Sequence, residues 1–217
     1  MPKLGMEPIR RRQIRRAAAK QIAKRGFDRT TLRHIAKAAR VSTGTINHYY
    51  HNKLAVLIDA LLYASEWFQA RIKEAVARAG SGPDKLRALV YIGVFEGGAD
   101  VVVGQSVWIW ALAESIRHRP LRIVIEERRR LFQQIIAEVI RALDVTHGMS
   151  EADIEEFAAE LDAYLNGLCN HRVTGENRIG PEEAVRSLLA MAEGRAARRA
   201  RFDGASRMNE ERQAVAE

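Results

Sequence analysis

Thr43, Gly44, Thr45, Asn47 and His48 lie close together in the first quarter of the chain and carry short, polar or planar side chains, with Tyr49 directly after them. Hydroxyls can donate to and accept from base edges or phosphates, a glycine admits close backbone approach, and an amide or imidazole presents donors and acceptors in one plane. That chemistry suits recognition of a polyanion with ordered bases. Upstream, Arg10, Arg11 and Arg12, followed by Arg15 and Arg16, supply fixed positive charge whose attraction for phosphate falls steeply with salt.

Residue types suited to catalysis are not grouped in this way. No G-x-G-x-x-G, phosphate-binding loop, G-x-S-x-G or H-E-x-x-H pattern occurs. His48 and His51 stand at i, i+3 without a nearby carboxylate or cysteine, and Cys169 and His171, two apart, point to different faces of a helix. No catalytic residue, metal site or cofactor is assigned. A small-molecule site is suggested by aromatics with carboxylates nearby: Trp67, Tyr91, Phe95 and Trp110, with Glu114 four residues after Trp110 and Asp162 beside an apolar stripe. An aromatic face next to a carboxylate can receive a quaternary ammonium, although aromatics at helical spacing are more often core.

These residues must be held by helices, because apolar residues recur at helical spacing along most of the chain. Ile14, Ala17, Ala18 and Ile22 form one short stripe; Leu57 to Ala79 carries one long enough for a connecting helix ending near Gly80 and Gly82. Pro83, Pro120 and Pro181 mark helix starts, where a missing N–H costs little. Ser150 with Asp153 forms a capping pattern ahead of the stripe through Ile154, Phe157, Leu161, Leu165 and Leu168. Ser42 can cap the helix bearing the polar cluster, and Leu32, Ile35, Ala36, Val41 and Ile46 have the spacing of two helices crossing at a turn. With no β-alternation, the expectation is an all-α fold of about nine helices, an N-terminal helix-turn-helix followed by a helical body.

Charge is divided unevenly along the 217 residues, whose net charge is +8. Residues 1–53 hold fourteen Lys and Arg against Glu7 and Asp28, a net +12; the remaining 164 hold 21 against 25, a net −4. The organisation expected is a basic DNA-binding domain over 1–53, a mildly acidic helical body over 54–194, and a flexible tail over 195–217, rich in charge without an apolar stripe. One cysteine excludes a disulfide framework, and no stretch is apolar enough to cross a membrane, so a cytoplasmic protein is expected. A basic amphipathic helix lying on anionic lipid is the competing assignment, but it accounts for the charge alone.

The segment T-L-R-H-I-A-K-A-A-R-V-S-T-G-T-I-N-H-Y-Y, Thr31 to Tyr50, followed by Lys53, resembles the N-terminal domain of the TetR family of transcriptional regulators. The start M-P-K-L-G-M-E-P-I-R-R-R-Q and V-S-T-G-T-I-N-H-Y-Y are similar to the branch of choline-responsive glycine-betaine repressors. The resemblance implies that Thr43, Gly44, Thr45 and His48 approach bases or phosphates, that Thr31, Tyr49 and Lys53 meet the DNA backbone, and that the last two major helices pair two copies. It further implies double-stranded DNA, a second copy and a small effector as partners. The effector could be choline, another quaternary ammonium or an unrelated hydrophobic molecule. Arg40 replaces the glycine usual in the turn, where a left-handed backbone costs a non-glycine residue about 1 kcal/mol. Asn47 and His48 replace two aromatics common in the family.

Overall fold

The computed structural model describes the backbone of residues 7–175 and 178–214, and side chains over 8–175 and 178–199. Among the described residues nine helices run in chain order: α1 (Glu7–Arg25), α2 (Leu32–Ala39), α3 (Thr43–Tyr49), α4 (Lys53–Arg78), α5 (Gly82–Val90), α6 (Ala99–Ser115), α7 (Arg119–Arg141), α8 (Glu151–Thr174) and α9 (Pro181–Ala214). A π-helical turn, Tyr91–Phe95, follows α5, and a 3₁₀ turn, Asp144–Thr146, precedes α8. No strand occurs among the described residues, and none of their helices is long and apolar enough to cross a membrane.

The chain forms two compact units. One comprises the chain up to Arg71 together with Glu96–Phe132; the other comprises Ile72–Phe95 and the chain from Gln133 onward. Of the three boundaries, two fall inside helices, α4 and α7, and the third directly follows the π-helical turn. The division differs from the charge boundary at Lys53 because compactness follows packing: Val107 and Ala111 of α6 share one core with Ile14 and Ile22 of α1, Ile35 of α2, Ile46 of α3 and Leu57 of α4. Burying such a side chain contributes on the order of 2 kcal/mol, and α3, with seven residues, is too short to persist without it.

In the second unit the α8 stripe of Phe157, Leu161, Leu165 and Leu168 is buried within the chain. It is therefore core of this chain. Gly82 also departs from expectation. It begins α5, and a Cβ there would lie 2.0 Å from the Ala142 carbonyl oxygen, so a close approach, not a helix end, requires glycine. Helix α9 continues to Ala214, making the expected tail from Arg195 helical as far as the described residues reach; 215–217 lie outside them.

Candidate nucleic-acid interface

Helix α2 opens on Thr31, whose hydroxyl accepts from the His34 N–H at 3.2 Å while His34 Nδ1 accepts from the Thr31 N–H at 3.3 Å. Just before it, the buried Thr30 hydroxyl donates to the Gly26 carbonyl at 2.7 Å and closes the turn from α1. Gly26 has φ +79, and the Trp110 ring lies where a Cβ would be, with Cζ2 2.7 Å away. Ala36 is buried at the helix crossing, and Arg40 adopts the left-handed conformation (φ 52, ψ 45) with its N–H directed to the Ala36 and Lys37 carbonyls.

Ser42 then caps α3. Its Oγ accepts from the Thr45 N–H at 3.0 Å and lies 2.9 Å from Thr45 Oγ1, which leaves Thr45 half-buried. Ile46 is fully buried and anchors the helix; Thr43, Gly44, Asn47 and His48 are exposed beside it. A Cβ added to Gly44 would meet only Ser42 Oγ at 3.6 Å, ordinary contact, so internal packing does not demand a glycine there. Tyr49 is half-buried, with His48 edge-on at a ring separation of 5.3 Å.

Two expected phosphate ligands have partners inside the protein. The Lys53 ammonium donates to the Asp28 carbonyl at 2.9 Å and lies 4.3 Å from the centre of the Phe27 ring, joining the start of α4 to the α1–α2 turn. Arg11 donates from Nε and Nη2 to the two oxygens of Asp59 at 3.0 and 3.3 Å. Arg10 donates to Gln13, and Arg12 is exposed. Asp59 also accepts from the Tyr50 hydroxyl at 2.6 Å, and both residues are buried. Burial, and then the Asp59 carboxylate, push the Tyr50 phenol well above its ordinary range; the same carboxylate raises Arg11. Sequence reasoning missed Tyr50 and Asp59. The available signal was a carboxylate interrupting the apolar run Leu57, Ala60, Leu61.

Residues 14–60 match the family described as bacterial regulatory proteins, tetR family, and residues 104–197 match the BetI-type transcriptional repressor C-terminal region. The chain belongs to the TetR family. It is a DNA-binding transcriptional regulator of the BetI-like kind. The HTH-type transcriptional regulator BetI of Stenotrophomonas maltophilia is 35% identical over 176 residues, spanning 77% of this chain and 85% of that one. The protein of the same name from Burkholderia cenocepacia is 30% identical over 171 residues, spanning 77% and 84%. Among solved structures, a TetR-family regulator from Cytophaga hutchinsonii superposes with a TM-score of 0.74 at 20% identity, over 88% of this chain and 97% of that one. A protein from Saccharomonospora viridis solved in complex with choline gives a TM-score of 0.71 at 24% identity, over 84% and 95%.

The expected effector residues of this TetR-family regulator fall in both compact units. In the first, Trp67 carries the Arg71 guanidinium 5.2 Å from its ring centre, Trp110 packs on Gly26 while remaining 37% exposed, and Glu114 is buried 3.6 Å from His118 Nε2. Trp110 and Glu114 share α6 but face different surroundings. In the second, Tyr91 is exposed, and Phe95 is buried with the Arg172 guanidinium 5.8 Å from its ring centre. Asp162 is buried, accepting from Gln133 at 3.1 Å and Asn166 at 2.6 Å. Two of the aromatic faces thus already hold a cation, each a guanidinium of the protein itself.

Proposed function

We propose that this regulator is a cytoplasmic homodimeric repressor that places α3 of each protomer in the major groove of a pseudo-palindromic operator and leaves it when a quaternary ammonium, with choline the first candidate, occupies the body. The observation that carries this reading is the outward face of α3. Thr43, Gly44, Asn47 and His48 are presented there on a helix fixed by Ser42 and Ile46, within a segment of net charge +12. Thr45 and Tyr49 border that face, and Thr31, Arg10 and Arg12 serve as phosphate ligands in this reading. Lys53 uses one of its three donors on Asp28 and can direct others to phosphate.

The choline-bound relative and the BetI-type C-terminal match support the effector class. Trp67, Tyr91, Phe95, Trp110, Glu114 and Asp162 are the positions to test for it, the buried carboxylates supplying charge complementary to an ammonium. An effector can release DNA only to the extent that it binds the released form more tightly. No catalytic step is part of this function.

Fluorescence anisotropy tests it. The full chain is titrated onto a duplex enriched by the protein from a randomised library, and onto a scrambled duplex, with choline chloride or sodium chloride at equal ionic strength. Preference for the enriched duplex, abolished by choline alone, is the expected result. Preference indifferent to choline would remove that effector, and equal affinity for both duplexes would overturn the repressor reading.

A further inference from the structure

Asp59 lies in the second turn of α4, buried, and its two oxygens receive three hydrogen bonds: two from Arg11 of α1 and one from Tyr50, the residue immediately after α3. Stripping a carboxylate of water is costly, and well-packed apolar residues in the place of a buried ion pair are often no less stable. Stability alone therefore gives a weak reason for a charge here, and geometry gives a stronger one. Tyr50 is the C-cap of α3, its N–H donating to the Ile46 carbonyl at 2.9 Å. A two-turn helix has little intrinsic ability to hold its rotation about its own axis. Ser42 fixes its start, Ile46 its middle, and the Tyr50 hydroxyl on Asp59 its end.

Arg11 has a second consequence. Its side chain is 58% exposed, yet its fork is engaged on both oxygens of Asp59. Two of its five N–H groups are held on Asp59, whose charge offsets its own, so a phosphate would have to compete with a bidentate, charge-assisted pair for this guanidinium.

We propose that Asp59 is a positioning residue for operator reading: it sets the rotation of α3 through Tyr50 and, standing where a phosphate would, keeps Arg11 out of the phosphate-contacting set. Arg10 and Arg12 carry that role, while Arg11 belongs to the scaffold that aims α3. Disturbing Asp59 degrades discrimination between sequences and at the same time strengthens sequence-independent binding, because the arginine it releases becomes a counterion-displacing cation. A purely structural Asp59 would not produce that pair of opposite changes.

The test measures affinity of the full chain for the enriched and scrambled duplexes across a salt series. Asp59→Asn keeps the shape and removes the charge; it should lower the enriched-over-scrambled ratio by about tenfold and steepen the salt slope on scrambled duplex by about 0.9 per protomer. Arg11→Ala should leave that slope at the wild-type value, and Asp59→Asn with Arg11→Ala should restore it. Tyr50→Phe, which retains the ring and the buried packing, should lower the ratio without moving the slope, and keeps the proposal testable if Asp59→Asn fails to fold. A slope flattened by about 0.9 in Arg11→Ala would place Arg11 on phosphate and overturn the proposal. So would an unchanged ratio in Tyr50→Phe.

Discussion

Gly44 is the position on α3 where folding and recognition make opposite demands. A methyl group there meets only Ser42 Oγ at 3.6 Å, and alanine is a better helix residue than glycine by up to about 1 kcal/mol. We expect Gly44→Ala to melt at the wild-type temperature or slightly above it, while affinity for the enriched duplex falls by about tenfold or more as the methyl intrudes on the DNA. A thermal melt and an anisotropy titration on the same sample check both halves. The polar face of α3 was legible in the sequence because its residue types declare their chemistry without partners. The left-handed Arg40 was legible too, from the glycine expected in that turn. Pairing was not. Arg11 and Asp59 are 48 positions apart, and a run of arginines shows how much charge is present but not which guanidinium is already engaged.

Helix α8 shows how local chemistry fixes an element before packing acts on it. Ser150 Oγ accepts from the Asp153 N–H at 3.2 Å and lies 2.6 Å from Asp153 Oδ2, and the Ser150 N–H donates to the same carboxylate at 3.2 Å. The Ser150 hydroxyl, with its backbone N–H and nearby arginines, holds Asp153 below the usual carboxylate range, and Arg141 does the same for Glu151. Carboxylates lowered by folding stabilise the folded state above their unfolded pKa, and that stability is lost as pH falls through the folded value. Ser150→Ala should therefore lower the melting temperature by a few degrees at pH 7, and the gap should narrow below the usual carboxylate range, near pH 3. Melts of both proteins across pH check it. Caps, prolines and apolar periodicity made α2, α3, α5 and α8 readable from sequence. Gly82 was misread because its reason is the Ala142 carbonyl, sixty residues away. The end of α9 was misread because a charged, small-residue composition without a stripe does not distinguish a solvated helix from a coil.

Net charge of +12 up to residue 53 and −4 beyond it gives one chain a basic reading surface and an acidic body, which favours orientation with the first segment toward DNA. The charge boundary was legible; the compact unit was not, because α6 is recruited to the α1–α4 core by packing that no local pattern announces. The α8 stripe is core, a point the sequence leaves open, since an apolar stripe specifies burial without saying whether the same chain or a second copy covers it. As a homodimer reading through two copies of α3, the protein should shield guanine N7 atoms in the major groove, in two patches about one helical turn apart. Dimethyl sulfate footprinting of the enriched duplex with the full chain measures this directly. The result predicted is two protected patches related by the operator's pseudo-symmetry, lost in Gly44→Ala. Guanines that remain reactive throughout the bound site, or a single protected patch, would contradict it.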